Sequence, residues 1–124
     1  MTDLSGNPVE IKLGPGNEHD INKGFEFVEE LTSRTKKFIA DMGYDSDLLR
    51  KILRKKLVEP VIPGRKSRKK EIKYDKDIYR ERHAVENRHC VFKQFRCISS
   101  RFDKLSVNFL STIYLAAIVA WAKL

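Results

Sequence analysis

An α/β fold is predicted for this chain of 124 residues. Two short apolar runs, residues 37–40 and 60–63, have the length of buried strands, and an amphipathic helical pattern lies between them. Helical patterns then fill most of the second half. Strands that alternate with helices are typical of an α/β layer architecture, and a chain of this length suits one small domain.

The first forty residues alternate strand and helix patterns. Residues 9–13 alternate apolar and polar side chains, which predicts a strand with one buried face. From Asp20, the expected N-cap, apolar residues recur at helical spacing to about Ser33. The apolar run 37–40 predicts a buried strand that ends at Asp41.

A second helix and strand follow. Ser46 or Asp47 is expected to cap the helix. Residues 60–63, bounded by prolines, predict a short strand. Residues 64–73 have no apolar period and predict a mobile basic loop. The inner face of the helix is expected to carry five aliphatic residues: Leu48, Leu49, Ile52, Leu53 and Leu57.

Two long helices are predicted for the rest of the chain, the first from about Asp77 to Ile98 and the second from about Asp103 to Ala122. The uninterrupted apolar run, residues 113–122, has about half the length that a bilayer span requires, so no membrane partner is expected. A buried helix, or a helix that docks on a partner, is the preferred interpretation. Peripheral membrane binding by this helix beside basic residues is a weaker alternative.

The net charge of +8 is distributed unevenly. Residues 1–49 contain five basic and ten acidic side chains, whereas residues 50–104 contain nineteen basic and seven acidic ones. A basic half indicates an anionic partner, most often nucleic acid, although a solvated charged surface is the simpler alternative. Five cations of the basic loop are the candidates for phosphate contacts: Arg65, Lys66, Arg68, Lys69 and Lys70.

The first of the long helices carries the pattern with the clearest chemistry. Four polar side chains would share one face of it within an arc of about 60°: Tyr79, Arg82, Glu86 and Lys93. One carboxylate among groups that contact phosphate suits metal-assisted phosphoryl transfer. Geometry alone leaves open an ordinary Arg82–Glu86 ion pair on a solvated helix face, with Tyr79 packed at its rim.

These four residues resemble a known signature. The spacing Tyr79-x2-Arg82-x3-Glu86-x6-Lys93 matches the Y-(2)-R-(3)-E-(6)-K pattern of insertion-sequence DDE transposases at all four positions. The run of residues 41–45, Asp-Met-Gly-Tyr-Asp, resembles the D-x-G-Y segment that carries the family's second catalytic aspartate. The resemblance implies a partial ribonuclease-H-like fold that lacks its first strand or strands, with residues 1–124 as one partial catalytic domain.

The resemblance also implies roles for individual residues. Asp41 and Glu86 would be catalytic and would bind Mg²⁺ or Mn²⁺, while Tyr79, Arg82 and Lys93 would contact DNA at the transposon ends. Without the family pattern, Asp41 is a turn acid or a helix cap. No residue matches the family's first catalytic aspartate, since Asp3 resembles a non-catalytic aspartate and Asp20 is expected to be a cap.

The implied function is DNA transposition, by metal-dependent phosphodiester cleavage and strand transfer at insertion-sequence ends. A site that lacks one acid binds its metal ions poorly, and a sheet that lacks central strands exposes apolar faces, so the chain alone is expected to be inactive and poorly stable. It would be a downstream-frame product or a decayed remnant, completed by an upstream transposase segment or by a homodimer. The alternative is a non-catalytic DNA-binding regulator. A bacterial cytoplasmic location is expected, at the nucleoid when DNA is bound.

Overall fold

The computed structural model describes residues 1–3, 5–100 and 104–122, without the side chain of Cys97. The chain is α/β, as predicted, and divides into two compact units. One unit is Gly14–Arg82, and the other combines Met1–Leu13 with His83–Leu124. Both strands lie in the first unit, and the described part of the second contains helices and one isolated bridge, between Thr2 and Pro8.

A strand–helix–strand arrangement forms the centre of the first unit. Its two strands pair in parallel, with Lys37 opposite Glu59 and Ile39 opposite Val61. Parallel neighbours cannot be joined by a tight turn, so the helix between them provides the crossover. Both of these predicted strands are confirmed, the second beginning one residue early. The elements are α1 (Asp20–Glu29), β1 (Lys37–Ile39), α2 (Asp47–Lys55) and β2 (Glu59–Val61).

The core of this unit forms around α2. Ser46 caps the helix, as predicted, and its Oγ accepts a hydrogen bond from the Leu49 backbone N–H at 3.3 Å. Leu49 and Leu53 lie four residues apart on one face and are fully buried. The two leucines pack with four further buried residues from α1 and from the segments beside the strands: Val28, Ala40, Val58 and Ile62.

The predicted inner face of α2 is wrong at both ends. Leu48 is 58% exposed, because its position on the helix points away from Leu49 and Leu53. Leu57 lies beyond the end of the helix, with φ at +59°, where the chain turns into β2, and is 90% exposed. The buried side of α2 instead includes a charged residue, Arg50, whose exposure is 3%.

Two predictions for the first thirty residues are also wrong. Residues 9–13 form no strand in the described structure, and the backbone N–H groups of residues 9 and 10 both donate to the Met1 carbonyl. A strand requires a paired neighbour, which apolar alternation cannot supply. Asp20 is the first residue of α1 rather than its cap, which is His19, and the helix ends at Glu29.

The long helix predicted from Asp77 to Ile98 is wrong, because it is divided into three. Asp75 caps the first, accepting hydrogen bonds from the backbone N–H groups of residues 77 and 78. That helix ends where the N–H groups of Glu81 and Arg82 donate to carbonyls three residues back, the tighter pattern of a terminating turn. The helices are α3 (Lys76–Arg80), α4 (His83–Lys93) and α5 (Arg96–Ser99).

The last helix, α6 (Ser106–Ala122), confirms the predicted C-terminal helix, although the predicted start at Asp103 lies outside the described residues. Tyr114 donates from its hydroxyl to the Ile11 carbonyl at 3.3 Å, and Trp121 donates from Nε1 to the Pro8 carbonyl at 3.1 Å. Across the described ranges, no helix combines the length and apolar character that crossing a bilayer requires. The buried face of α6 consists of Ile113, Ala116, Ala117 and Ala120.

Candidate functional site

Asp41 lies just past the carboxyl end of β1, after the buried Ala40. Its Oδ1 accepts a hydrogen bond from the Gly43 backbone N–H at 2.9 Å, and the residue thereby caps a short 3-10 helix, Met42–Tyr44. Among the described residues Asp41 makes no other hydrogen bond or ion pair through its side chain, so Oδ2 is available to a ligand. The geometry therefore suits both a helix cap and a ligand-binding carboxylate at a strand end.

A second carboxylate, Asp20, approaches Asp41 across Gly43. A Cβ atom added to Gly43 would lie 2.9 Å from Asp41 Oδ1 and 3.3 Å from Asp20 Oδ2. Burial raises the pKa of the neighbouring Tyr44 hydroxyl, and the negative charges of Asp20 and Asp41 raise it further. A glycine at position 43 thus allows two acids from different elements to converge. Helical periodicity gave no indication of this pairing, because it links residues about twenty positions apart.

Glu86 lies in the first turn of α4 and is partly buried. Its Oε2 is 3.0 Å from Nδ1 of His83, three residues earlier on the same helix, which is hydrogen-bonding distance. Lys93, seven residues after Glu86, projects from the same face of α4 and is exposed. His83 was not among the candidate residues, although its spacing from Glu86 is that of neighbours on a helix surface.

Tyr79 and Arg82 form a second pair, in the Gly14–Arg82 unit. The Arg82 guanidinium carbon lies 5.5 Å from the centre of the Tyr79 ring, within range of a cation–π contact. Tyr74 meets Tyr79 edge to face, with ring centres 5.5 Å apart. The single helix that was predicted to carry these four residues is therefore wrong: Tyr79 belongs to α3, Arg82 to the following turn, and Glu86 with Lys93 to α4.

The basic loop, residues 64–73, has no regular secondary structure and surrounds a hollow of about 400 Å³. Tyr74 and Ile72 contribute the less polar part of its lining, and Glu71 is its acid. In the described part of the chain, the side chains of Lys66, Lys69 and Lys70 make no ion pair or hydrogen bond. All five predicted phosphate-contacting cations line the hollow, together with Lys76.

The two arginines of this loop are held by a buried acid, Asp45, whose side chain is 1% exposed. Its carboxylate accepts hydrogen bonds from Arg68 Nε at 2.6 Å, from the Arg65 backbone N–H at 2.8 Å and from Arg50 Nη1. Arg68 also pairs with Asp47 at 3.0 Å. Sequence patterns missed Asp45, because its partners in the loop lie 20 and 23 residues away.

Hydrogen bonding keeps Asp45 ionised. Burial alone would raise the pKa of this carboxyl, but the hydrogen bonds from Arg68, the Arg65 backbone and Arg50 outweigh burial and hold the pKa well below its usual range. The same contacts, with those to Asp47, raise the pKa of the Arg68 guanidinium. The loop is thus attached to the segment that follows Asp41 by a cluster of charged groups.

Known proteins resemble this chain over nearly all its length. The family model for the transposase DDE domain matches residues 1–121. A Brucella ovis protein named as a transposase for insertion sequence element IS6501 is 28% identical over 124 residues, which cover 99% of this chain and 95% of the relative. A Burkholderia cepacia protein named as a transposase for insertion sequence element IS402 is 26% identical over 114 residues, covering 84% of this chain but only 52% of that relative. No solved structure matches this chain significantly.

Proposed function

Since the chain belongs to the transposase DDE domain family, we propose that it supplies the Asp41- and Glu86-bearing part of a DNA transposase. The complete site would cleave phosphodiesters at insertion-sequence ends and join the freed ends to target DNA. Its fold would be a partial ribonuclease-H-like domain, acting at the bacterial nucleoid. The observation that carries the proposal is Asp41, which lies at the end of a parallel strand, in the same compact unit as the basic hollow.

The basic loop supports a DNA partner. Arg65 Nε lies 3.5 Å from the Met42 carbonyl, so the loop approaches the turn that Asp41 caps. The lysines that line the hollow could therefore hold a phosphate backbone close to this carboxylate. Phosphate contacts fix the register of a protein on DNA without reading the DNA sequence. Beside a cleavage site, such contacts would hold the DNA strand in place.

The family's DDE domain implies use of a divalent metal, and we propose Mg²⁺ or Mn²⁺. Asp41 and Glu86 offer carboxylate oxygens, the ligands that such hard ions prefer. The chemistry expected of the ion is polarisation of a phosphodiester oxygen and activation of the attacking water or hydroxyl. Within the described ranges no three His, Cys, Asp or Glu side chains converge, so these donors are of a fitting type but do not make a complete site.

The 124-residue chain is therefore proposed to be inactive by itself. The DDE signature contains three acids, and this sequence matches the second and the third. An upstream transposase segment, or a second subunit, would contribute the missing aspartate. Asp20 is the other carboxylate near Asp41, but it lies on a helix and not at the end of a strand.

The test is reconstitution. The chain would be co-expressed with the polypeptide encoded immediately upstream in the same element, and strand cleavage at the element's ends would be measured with Mg²⁺. Glu86→Gln is expected to abolish cleavage and to leave DNA affinity nearly unchanged. Glu81→Gln is the matched control, since Glu81 is an exposed acid in the turn before α4, and it should cleave normally.

Two outcomes would contradict this assignment. Cleavage by the Glu86→Gln complex at the wild-type rate would show that Glu86 is not a catalytic residue. Cleavage by the chain alone would show that its site is complete. If the chain binds DNA but no upstream segment restores cleavage, the second candidate function holds, a non-catalytic DNA-binding regulator that competes for the element's ends through the lysines of the hollow.

A further inference from the structure

We propose that Asp45 is a positioning residue for DNA binding, because it anchors the basic loop in the shape that meets phosphates. This inference rests on the proposed function, since it concerns how the same surface holds DNA. It also gives Arg68 a different role from the loop lysines. Arg68 is an internal cation of the anchor, whereas Lys66, Lys69 and Lys70 are the groups that contact DNA.

The anchor joins three separate parts of the unit. Asp45 belongs to the segment between Asp41 and α2, and it accepts hydrogen bonds from α2 through Arg50 and from the loop through Arg65 and Arg68. Arg50 also donates from Nη2 to the Ile62 carbonyl at 2.9 Å, which attaches the chain just after β2. One buried carboxylate therefore determines where the loop begins relative to the strand ends.

The charges divide into two groups. Arg68 is paired with two acids, Asp45 and Asp47, so most of its charge is already neutralised in the free protein. The lysines of the hollow are exposed, and in the described chain they have no acidic partner. Phosphates would therefore displace solvent and counterions from the lysines, but would have to break ion pairs to reach Arg68.

Anchoring also lowers the entropic cost of binding. A free basic loop would lose backbone and side-chain freedom when DNA arrives, and that loss would reduce affinity. The backbone hydrogen bond from Arg65 and the contact of Arg68 with the buried Asp45 restrict residues 65–68 before DNA is present, whereas the exposed Asp47 adds little to this restraint. The hollow is consequently preformed, and its lysines need only side-chain adjustment to reach successive phosphates.

The experiment compares Asp45→Asn with Asp47→Asn in the full chain. Each substitution raises the net charge by one and removes one acidic partner of Arg68, but Asp47 is 77% exposed, whereas Asp45 is buried. Binding to a duplex of about 30 base pairs would be measured by fluorescence anisotropy over a range of salt at 10 °C, where circular dichroism confirms folding. Limited trypsin digestion, mapped by mass spectrometry, would report whether the loop is held.

Asp47→Asn is expected to bind DNA as tightly as the wild-type chain. Asp45→Asn is expected to bind about tenfold more weakly, the loss that ordering one or two released side chains implies. Its trypsin cuts should become faster at residues 65–70, while the bonds after Lys51 and Lys55 in α2 stay protected. If Asp45→Asn does not fold, the double variant Asp45→Asn/Arg50→Gln replaces it, because it neutralises the buried guanidinium together with its partner.

Equal DNA affinity of the Asp45 and Asp47 variants would overturn the inference. Faster loop cleavage with unchanged affinity would also overturn it, by making Asp45 a purely structural residue. Failure of the wild-type chain itself to bind any duplex is a distinct result. That outcome contradicts the proposed function first, and the role of Asp45 in binding is lost with it.

Discussion

Replacing Asp45 with asparagine tests the cluster on which the basic loop depends. The side chain is 1% exposed and accepts hydrogen bonds from two arginine side chains and one backbone N–H. Removing one partner of a buried ion pair costs about 3–5 kcal/mol, because the other charge stays buried without compensation. Arg50, at 3% exposure, would keep only the longer contact with Asp47, at 3.8 Å, as an ion pair, whereas Arg68, at 27%, can turn to solvent.

The expected loss for Asp45→Asn is therefore near the lower end of that range, about 3 kcal/mol, since the asparagine amide oxygen can still accept one hydrogen bond. Urea unfolding followed by circular dichroism measures it as a fall in the midpoint at constant slope. Asp47→Asn, at an exposed position, should cost less than about 1 kcal/mol. Equal losses of unfolding free energy in the two variants would refute the reasoning, because the burial of Asp45 would then add nothing to the stability that its ion pairs provide.

Two further predictions concern charge. The Asp45 carboxyl has a lowered pKa in the folded chain, so its stabilisation is present above its ordinary pKa of 3.8 and declines as the pH falls below that value. The difference in unfolding free energy between wild type and Asp45→Asn should shrink by about 1.4 kcal/mol per pH unit below 3.8. Urea unfolding at pH 6 and at pH 2.5 measures this difference. An equal difference at the two pH values would contradict the prediction. Neutralising Lys66, Lys69 and Lys70 together should reduce the magnitude of the slope of log affinity against log salt by about 2.7, measured by anisotropy. A matched triple neutralisation on α2 should change the slope far less, at the exposed positions Lys51, Arg54 and Lys55.

The basic loop and the Asp41 segment belong to one structural unit, although the chain separates them by more than twenty residues. β1 and β2 pair in parallel, so the segments that follow them emerge at the same edge of the sheet. Asp41 follows one strand and the loop follows the other. This arrangement places a carboxylate and a set of cations after the same end of the two strands, which supports the proposed function.

Local signals in the sequence predicted several elements correctly. The apolar runs 37–40 and 60–63 contain most of the two strands, which end at Ile39 and Val61, Ser46 caps α2, and Asp41 follows a strand end. A cap depends on interactions within a few residues, and a short buried run is a local pattern, although the pairing of the two strands links residues 22 positions apart. The acidic and basic halves were also legible, because net charge depends on composition and not on folding.

Other features depend on contacts between distant parts of the chain, which periodicity does not encode. Residues 9–13 alternate correctly but have no strand beside them, and the predicted helix around Glu86 is interrupted before His83. A pattern of spacings does not show whether a helix ends within it, since the two hydrogen bonds of a terminating turn end α3 after Arg80.

The identity of the family and its candidate acids were readable from the amino-acid order alone. A signature of residue types at set spacings does not depend on the secondary structure between those residues. Which of the loop's cations are paired with an acid was not readable. Arg68 and Lys69 are equivalent cations in the sequence, but only Arg68 lies against a buried carboxylate. Folding made that distinction, because it placed Asp45 where water is excluded and where an unpaired charge would be too costly to keep.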